Sequence, residues 1–191
     1  MKIFSDLSYA FLTTVFFLLY HKNRTEKEDE FMDAQTRARE LFLSGYNCAQ
    51  SVAGAFAEKM GLPLETVLKT ASSFGGGMGG LRETCGAVTG MFLVAGYLYG
   101  YSDPKDLTQK TAHYASIRKL AAEFTAEHGT TVCRELLRNL PGKLKQDPSA
   151  RTEEYYKVRP CVRFVESGAK ILERWIRERE GEKHIEDRST V

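Results

Sequence analysis

The sequence predicts an all-α fold, a compact bundle of about six to eight helices with a glycine-rich loop before its central apolar helix. Three observations carry this. Apolar residues recur at helical spacing in segment after segment, for example Ala34, Ala38, Leu41 and Phe42. Capping and stop residues bracket those segments: Asn47 before Cys48, and Gly45, Gly61 and Gly129 behind apolar stripes. No segment alternates apolar and polar residues convincingly over strand length.

Taken in chain order, the first feature is the apolar run Tyr9 to Tyr20, followed by the charged run Arg24 to Glu30. A membrane span wants about 18–20 apolar residues, so the run is short, and no small-x-small cleavage site follows it. Residues 1–31 read either as an over-long start, since Met32 opens a natural-looking one, or as a signal or anchor. Helices are then expected over Phe31 to Ser44, over Cys48 to Met60, and after Pro63 through LETVLKTASSF. Phe74 leads into GGGMGG. Thr84 to Tyr99 is apolar almost all round, which places it centrally or at a subunit contact and leaves homodimerisation open. Its Gly86/Gly90 and Gly96/Gly100 pairs suit close backbone approach. Asp103-Pro104 opens a long helix through Leu107, Tyr114, Ile117, Ala121 and Phe124. Thr131 to Leu140 is short, residues 141–153 read as a loop, and Pro160 starts a last helix through Phe164, Ile171, Leu172 and Trp175. The organisation is an extension over 1–31, a helical domain over 32–176, and a charged tail over 177–191 that is expected to fray.

The 27 basic and 25 acidic residues leave a formal charge of +2, which gives no electrostatic case for nucleic acid as a partner. The four cysteines are too few for a disulfide scaffold, and their wide spacing excludes a C-x-x-C knuckle. Cys48, Cys85, Cys133 and Cys161 share one local address, the first turn of a predicted helix. Free N–H groups and the positive end of the helix dipole there favour thiolate over thiol. Arg82, Arg134, Arg159 and Arg163 lie close enough in sequence to act in the same sense. Of the histidines, none is paired at metal-ligand spacing, and only His128, upstream of Cys133, stands as a base or ligand candidate.

Gly75-x-Gly77-x-x-Gly80 matches a dinucleotide fingerprint on paper, but a helix precedes it, and no Gly-Lys-Ser/Thr follows. Gly75, Gly76, Gly77 and Gly79 are instead expected to take positive φ, bring backbone close to a site with Gly86, and offer N–H groups to a sulfide or anion.

These elements, Gly45-Tyr46-Asn47-Cys48-Ala49-Gln50, Phe74-Gly75-Gly76-Gly77-Met78-Gly79, Cys85-Gly86-Ala87-Val88-Thr89-Gly90, Cys133-Arg134-Glu135-Leu136 and Cys161-Val162-Arg163, resemble a family of redox-active proteins named for its cysteine pattern. The resemblance spans roughly residues 33–175. Leu81-Arg82-Glu83 departs from it, standing where small residues or glycines are expected. It implies a small, mainly helical protein with four functional cysteines, and no defined substrate.

Two forms of redox site follow. In one, Cys48, Cys85, Cys133 and Cys161 ligate an iron–sulfur cluster, which accepts thiolates from separate helices. In the other they cycle as dithiol/disulfide pairs with a partner protein, a small thiol or another electron donor. The contrasting expectation is a non-enzymatic helical module, with a structural four-cysteine metal site or merely buried sulfurs. A cytoplasmic location is expected, with membrane attachment or export only if residues 9–20 serve as an anchor or signal.

Overall fold

The computed structural model describes residues 33–142, 144 and 146–189. The apolar run and charged linker of residues 1–31 lie outside the described residues. The described chain is all-α: α1 (Ala34–Leu43), α2 (Cys48–Gly54), α3 (Leu64–Ala71), a four-residue turn α4 (Gly75–Met78), α5 (Gly86–Tyr99), α6 (Leu107–His128), the short α7 (Cys133–Leu136), α8 (Glu153–Val158) and α9 (Cys161–Ser189). A 3₁₀ turn, Ser72–Phe74, joins α3 to α4. Among the described residues there is no strand, and one isolated antiparallel bridge pairs Thr84 with Val132. No described helix is long and apolar enough to cross a membrane.

Caps set the boundaries. Asn47 accepts from the N–H groups of Ala49 and Gln50, and the Gln50 side chain accepts from the Asn47 N–H at 3.0 Å. This capping box starts α2 and contributes about 1 kcal/mol. The long helix starts later than Asp103-Pro104, because Asp106 takes the cap and accepts from Gln109 N–H at 2.8 Å. Asp103 instead closes the preceding turn on Lys105. The expected loop over 141–153 is followed directly by a helix the periodicity did not reveal, α8, started by Thr152 accepting from Tyr155 N–H. The last helix continues without a break from Cys161 past Arg177 to Ser189.

The core is built from Phe42, Met91, Leu120, Phe124, Ile171 and Leu172, all fully buried. Helix α9 packs against α1, α2, α5 and α6 and so holds the bundle together. The expected close approach holds for one glycine pair only. A Cβ on Gly86 would lie 2.9 Å from Cys48 Cβ, and one on Gly90 2.9 Å from Val52 Cβ, so α2 and α5 meet backbone to backbone. Gly96 faces open space, so the second pair does no packing of this kind. Ion pairs Arg39–Glu166 at 2.8 Å and Arg174–Glu123 at 2.7 Å brace α9 on its solvent side, each contributing at most about 1 kcal/mol. Tyr156 donates to the Phe42 and Leu43 carbonyls, tying α8 to the open end of α1.

Candidate functional site: four thiols and a cationic rim around one cavity

Each cysteine stands at a helix start, as its sequence context predicts. Cys48, Cys133 and Cys161 are the first residues of α2, α7 and α9, and Cys85 is the N-cap of α5. All four line one cavity of about 270 Å³, together with Gly75, Gly76, Gly77, Gly79 and Gly86. Three of the cysteine residues are buried, with Cys85 3%, Cys161 6% and Cys133 7% exposed, whereas Cys48 is half-buried.

Two local devices assemble this cavity. The first is the bridge: Cys85 N–H donates to Thr131 carbonyl at 2.8 Å, and Cys133 N–H donates to Glu83 carbonyl at 2.6 Å. Side chains alternate across such a pairing, so Cys85 and Cys133 leave it on the same face. The second is the glycine run. From Gly76 through Gly80 every φ is positive, including that of Met78, so the chain makes a left-handed turn that only a glycine-rich segment adopts cheaply; Gly75, at φ −64°, does not take the positive φ expected of it. That turn presses backbone against the third cysteine: a Cβ on Gly77 would sit 2.6 Å from Cys133 Cβ. The N–H groups of Gly80, Arg82 and Glu83 are consumed inside the turn, bonding to the carbonyls of Gly75, Gly76 and Gly77.

The electrostatics differ from the expectation of four activated thiols. Cys161 alone is made more acidic, from an ordinary 9.0 to about 7: the Cys48 thiol donates a hydrogen bond to it, and the Arg159 and Arg151 guanidinium groups lie close by. Cys48 is correspondingly raised, because giving up its proton would break that bond and set two negative sulfurs side by side. Burial pushes Cys85 up to about 12. Burial also raises Cys133, against the opposing pull of Arg82. A helix start favours thiolate only where desolvation does not outweigh it, and here it outweighs it at Cys85 and Cys133.

Arg82 and Arg159 line the cavity, as their nearness to cysteines implies. Arg134 instead pairs with Glu83 at 2.5 Å, and neither it nor Arg163 lines the cavity. His128 is not part of the site. It lies between the rings of Phe124 at 4.5 Å and Phe164 at 5.0 Å, and burial lowers its pKa. Arg151 and Tyr155 are cavity residues that the sequence reading did not single out, as are Gln146 and Asp147. The Arg151 and Arg159 guanidinium carbons stand 4.5 Å and 4.8 Å from the Tyr155 ring. Thr152 followed by two glutamates was the signal that could have shown the helix that carries Tyr155 and begins just after Arg151.

Four thiols on one cavity supply the donor chemistry of an iron–sulfur site. Among the described residues, however, no three Cys, His, Asp or Glu side chains converge closely enough to hold a metal ion. The sulfurs as placed are a hydrogen-bonded pair and two flanking thiols rather than a closed ligand set.

No curated protein and no solved structure matches the chain. A family model does match, over residues 46–175, and its description is "Putative redox-active protein (C_GCAxxG_C_C)". The label writes its second element Gly-Cys-Ala-x-x-Gly, whereas this chain reads Cys85-Gly86-Ala87-Val88-Thr89-Gly90, with the first two residues transposed. With the matched segment running from just before the first cysteine to beyond the fourth, the chain belongs to this family of redox-active proteins.

Proposed function

We propose that the protein is a dithiol/disulfide redox protein in which Cys161 is the attacking thiolate and Cys48 the resolving thiol. The observation that carries this reading is the hydrogen bond from the Cys48 thiol to the Cys161 sulfur beside Arg159. The Cys161 thiolate attacks one sulfur of a partner disulfide, that S–S bond breaks, and the released partner thiolate takes up a proton. Cys48 then loses its proton and attacks the Cys161 sulfur of the mixed disulfide, releasing the second partner thiol. The pair ends oxidised by two electrons, and the partner ends reduced by two electrons with two protons gained.

Peptide mapping of reduced and mildly oxidised protein tests this. A single Cys48–Cys161 disulfide should form reversibly, and Cys161→Ser should abolish it. Oxidation that leaves Cys48 and Cys161 as free thiols, or joins them only to other cysteines, overturns the assignment.

A second reading, an iron–sulfur centre, is favoured by the four thiols sharing one cavity. Anaerobic purification with a visible spectrum and assays of iron and acid-labile sulfide separates the two. A brown protein with both elements supports the cluster, and a colourless one with redox-dependent thiol loss supports the dithiol.

A further inference from the structure

Guanidinium groups give the cavity a cationic lining. Among the described residues, Arg82, Arg151 and Arg159 line it against a single lining carboxylate, Asp147. Arg82 is directed to Cys133 and Arg159 to Cys161 by side-chain hydrogen bonds. Arg151 is differently placed. Its Nη2 donates to the Tyr46 carbonyl at 3.1 Å, while its buried Nη1 has no hydrogen-bond partner among the described residues. The guanidinium is held in place over Phe42 at 4.7 Å as well as over Tyr155. A buried cationic donor left unsatisfied costs free energy, and a guanidinium fork is the side chain best shaped to take a carboxylate.

We infer that the cavity receives a small disulfide or thiol bearing a carboxylate, which Arg151 and Arg159 grip while its sulfur meets Cys161. This rests on the dithiol reading and adds the substrate class to it. Enclosure favours a small molecule over the main competitor, because Cys161 is only 6% exposed as a residue and a disulfide on the convex surface of a folded protein meets little of it. The chemistry is the exchange already described: Cys161 displaces one carboxylate-bearing thiol, Cys48 displaces the second, and each leaves with a proton.

Two small linear disulfides of opposite charge provide the test, 3,3′-dithiodipropionate and cystamine. Reduced full-length protein is mixed with each at low salt, and Cys48–Cys161 formation is followed by mass spectrometry. The dianion should react at least about tenfold faster than the dication. Arg151→Gln and, as a second variant in case the first folds poorly, Arg159→Gln should pull that ratio towards one, with helical circular dichroism retained. Arg134→Gln, outside the cavity, should leave it unchanged. Equal or faster reaction with cystamine overturns the inference, as does a ratio that ignores both cavity substitutions.

Suberate, the sulfur-free analogue of the dianion, separates the two levels of the claim. Calorimetric binding of suberate that Arg151→Gln weakens about ten- to a hundredfold, the worth of a charge-assisted hydrogen bond, supports the anion grip whatever the thiols do. If suberate binds in this way and dithiodipropionate leaves Cys161 untouched, the redox reading fails and the receptor stands. If inorganic phosphate binds as tightly as suberate with the same Arg151 dependence, the ligand is an oxyanion, and the carboxylate assignment is overturned.

Discussion

Gly77 and Gly61 form a matched pair on which the assembly of the site can be measured. Their φ angles are nearly equal, +69° and +64°. An added methyl at Gly61 meets nothing within 4 Å, whereas at Gly77 it meets Cys133 Cβ at 2.6 Å and Arg82 Cα at 2.9 Å. Placing alanine in the left-handed region costs roughly 1–2 kcal/mol, and the stiffer unfolded chain returns about 0.4–1 kcal/mol. Gly61→Ala should therefore lose about 0.5–1 kcal/mol. Gly77→Ala carries the same strain plus overpacking of about 1–3 kcal/mol, because the Arg82 atom it strikes is backbone and the Cys133 atom is a Cβ. Its expected loss is about 1.5–4 kcal/mol. Urea unfolding followed by circular dichroism measures both under reducing conditions. If the two variants lose the same stability within about 0.5 kcal/mol, the glycine turn does not press on Cys133 as described.

Other consequences are open to measurement. Alkylation of Cys161 by iodoacetamide should be half-maximal near pH 7, with Cys85 unreactive until far higher pH, and Arg159→Gln should move the Cys161 midpoint upward. Because the folded Cys161 thiol ionises before the unfolded one, its contribution to stability is fully present above about 9.0 and is lost as pH falls through about 7. A Cys161→Ala variant should lack that segment of the pH–stability curve. Asn47→Ala removes both the α2 cap and a 3.0 Å bond to the Ser72 carbonyl, so it should lose about 1–2 kcal/mol in urea unfolding. Tyr156→Phe removes the hydroxyl that closes the end of α1 and should lose about 1 kcal/mol, leaving oxidation of Cys48 and Cys161 intact.

Much of the architecture was legible because it is local. The stripe Ala34, Ala38, Phe42 does bury its face, Asn47 does cap α2, and Gly129 at φ +83° does stop α6. The starts of α6 and α8 were not legible. Asp103 and Asp106 both stand in the turn before α6, and only the folded chain shows that Asp106 turns back onto a free N–H; before α8, Thr152 ahead of two glutamates was the one local signal. A helix as short as Glu153–Val158 shows too little period to stand out from a loop.

The site divides along the same line. That the four cysteines begin helices, and that the glycines before Cys85 bend the chain through positive φ, follows from residues adjacent in sequence, because capping and backbone sterics act within one turn. Which sulfur is acidic does not follow. All four helix starts look alike in the sequence, and burial, a neighbouring thiol and two guanidinium groups distinguish Cys161 only after α2, α8 and α9 are brought together. Desolvation and pairing depend on what packs across the cavity. The sequence by itself determined an all-α chain with four cysteines at helix starts; only the tertiary structure decided that one of them, Cys161 beside Arg159 and Arg151, is the more acidic.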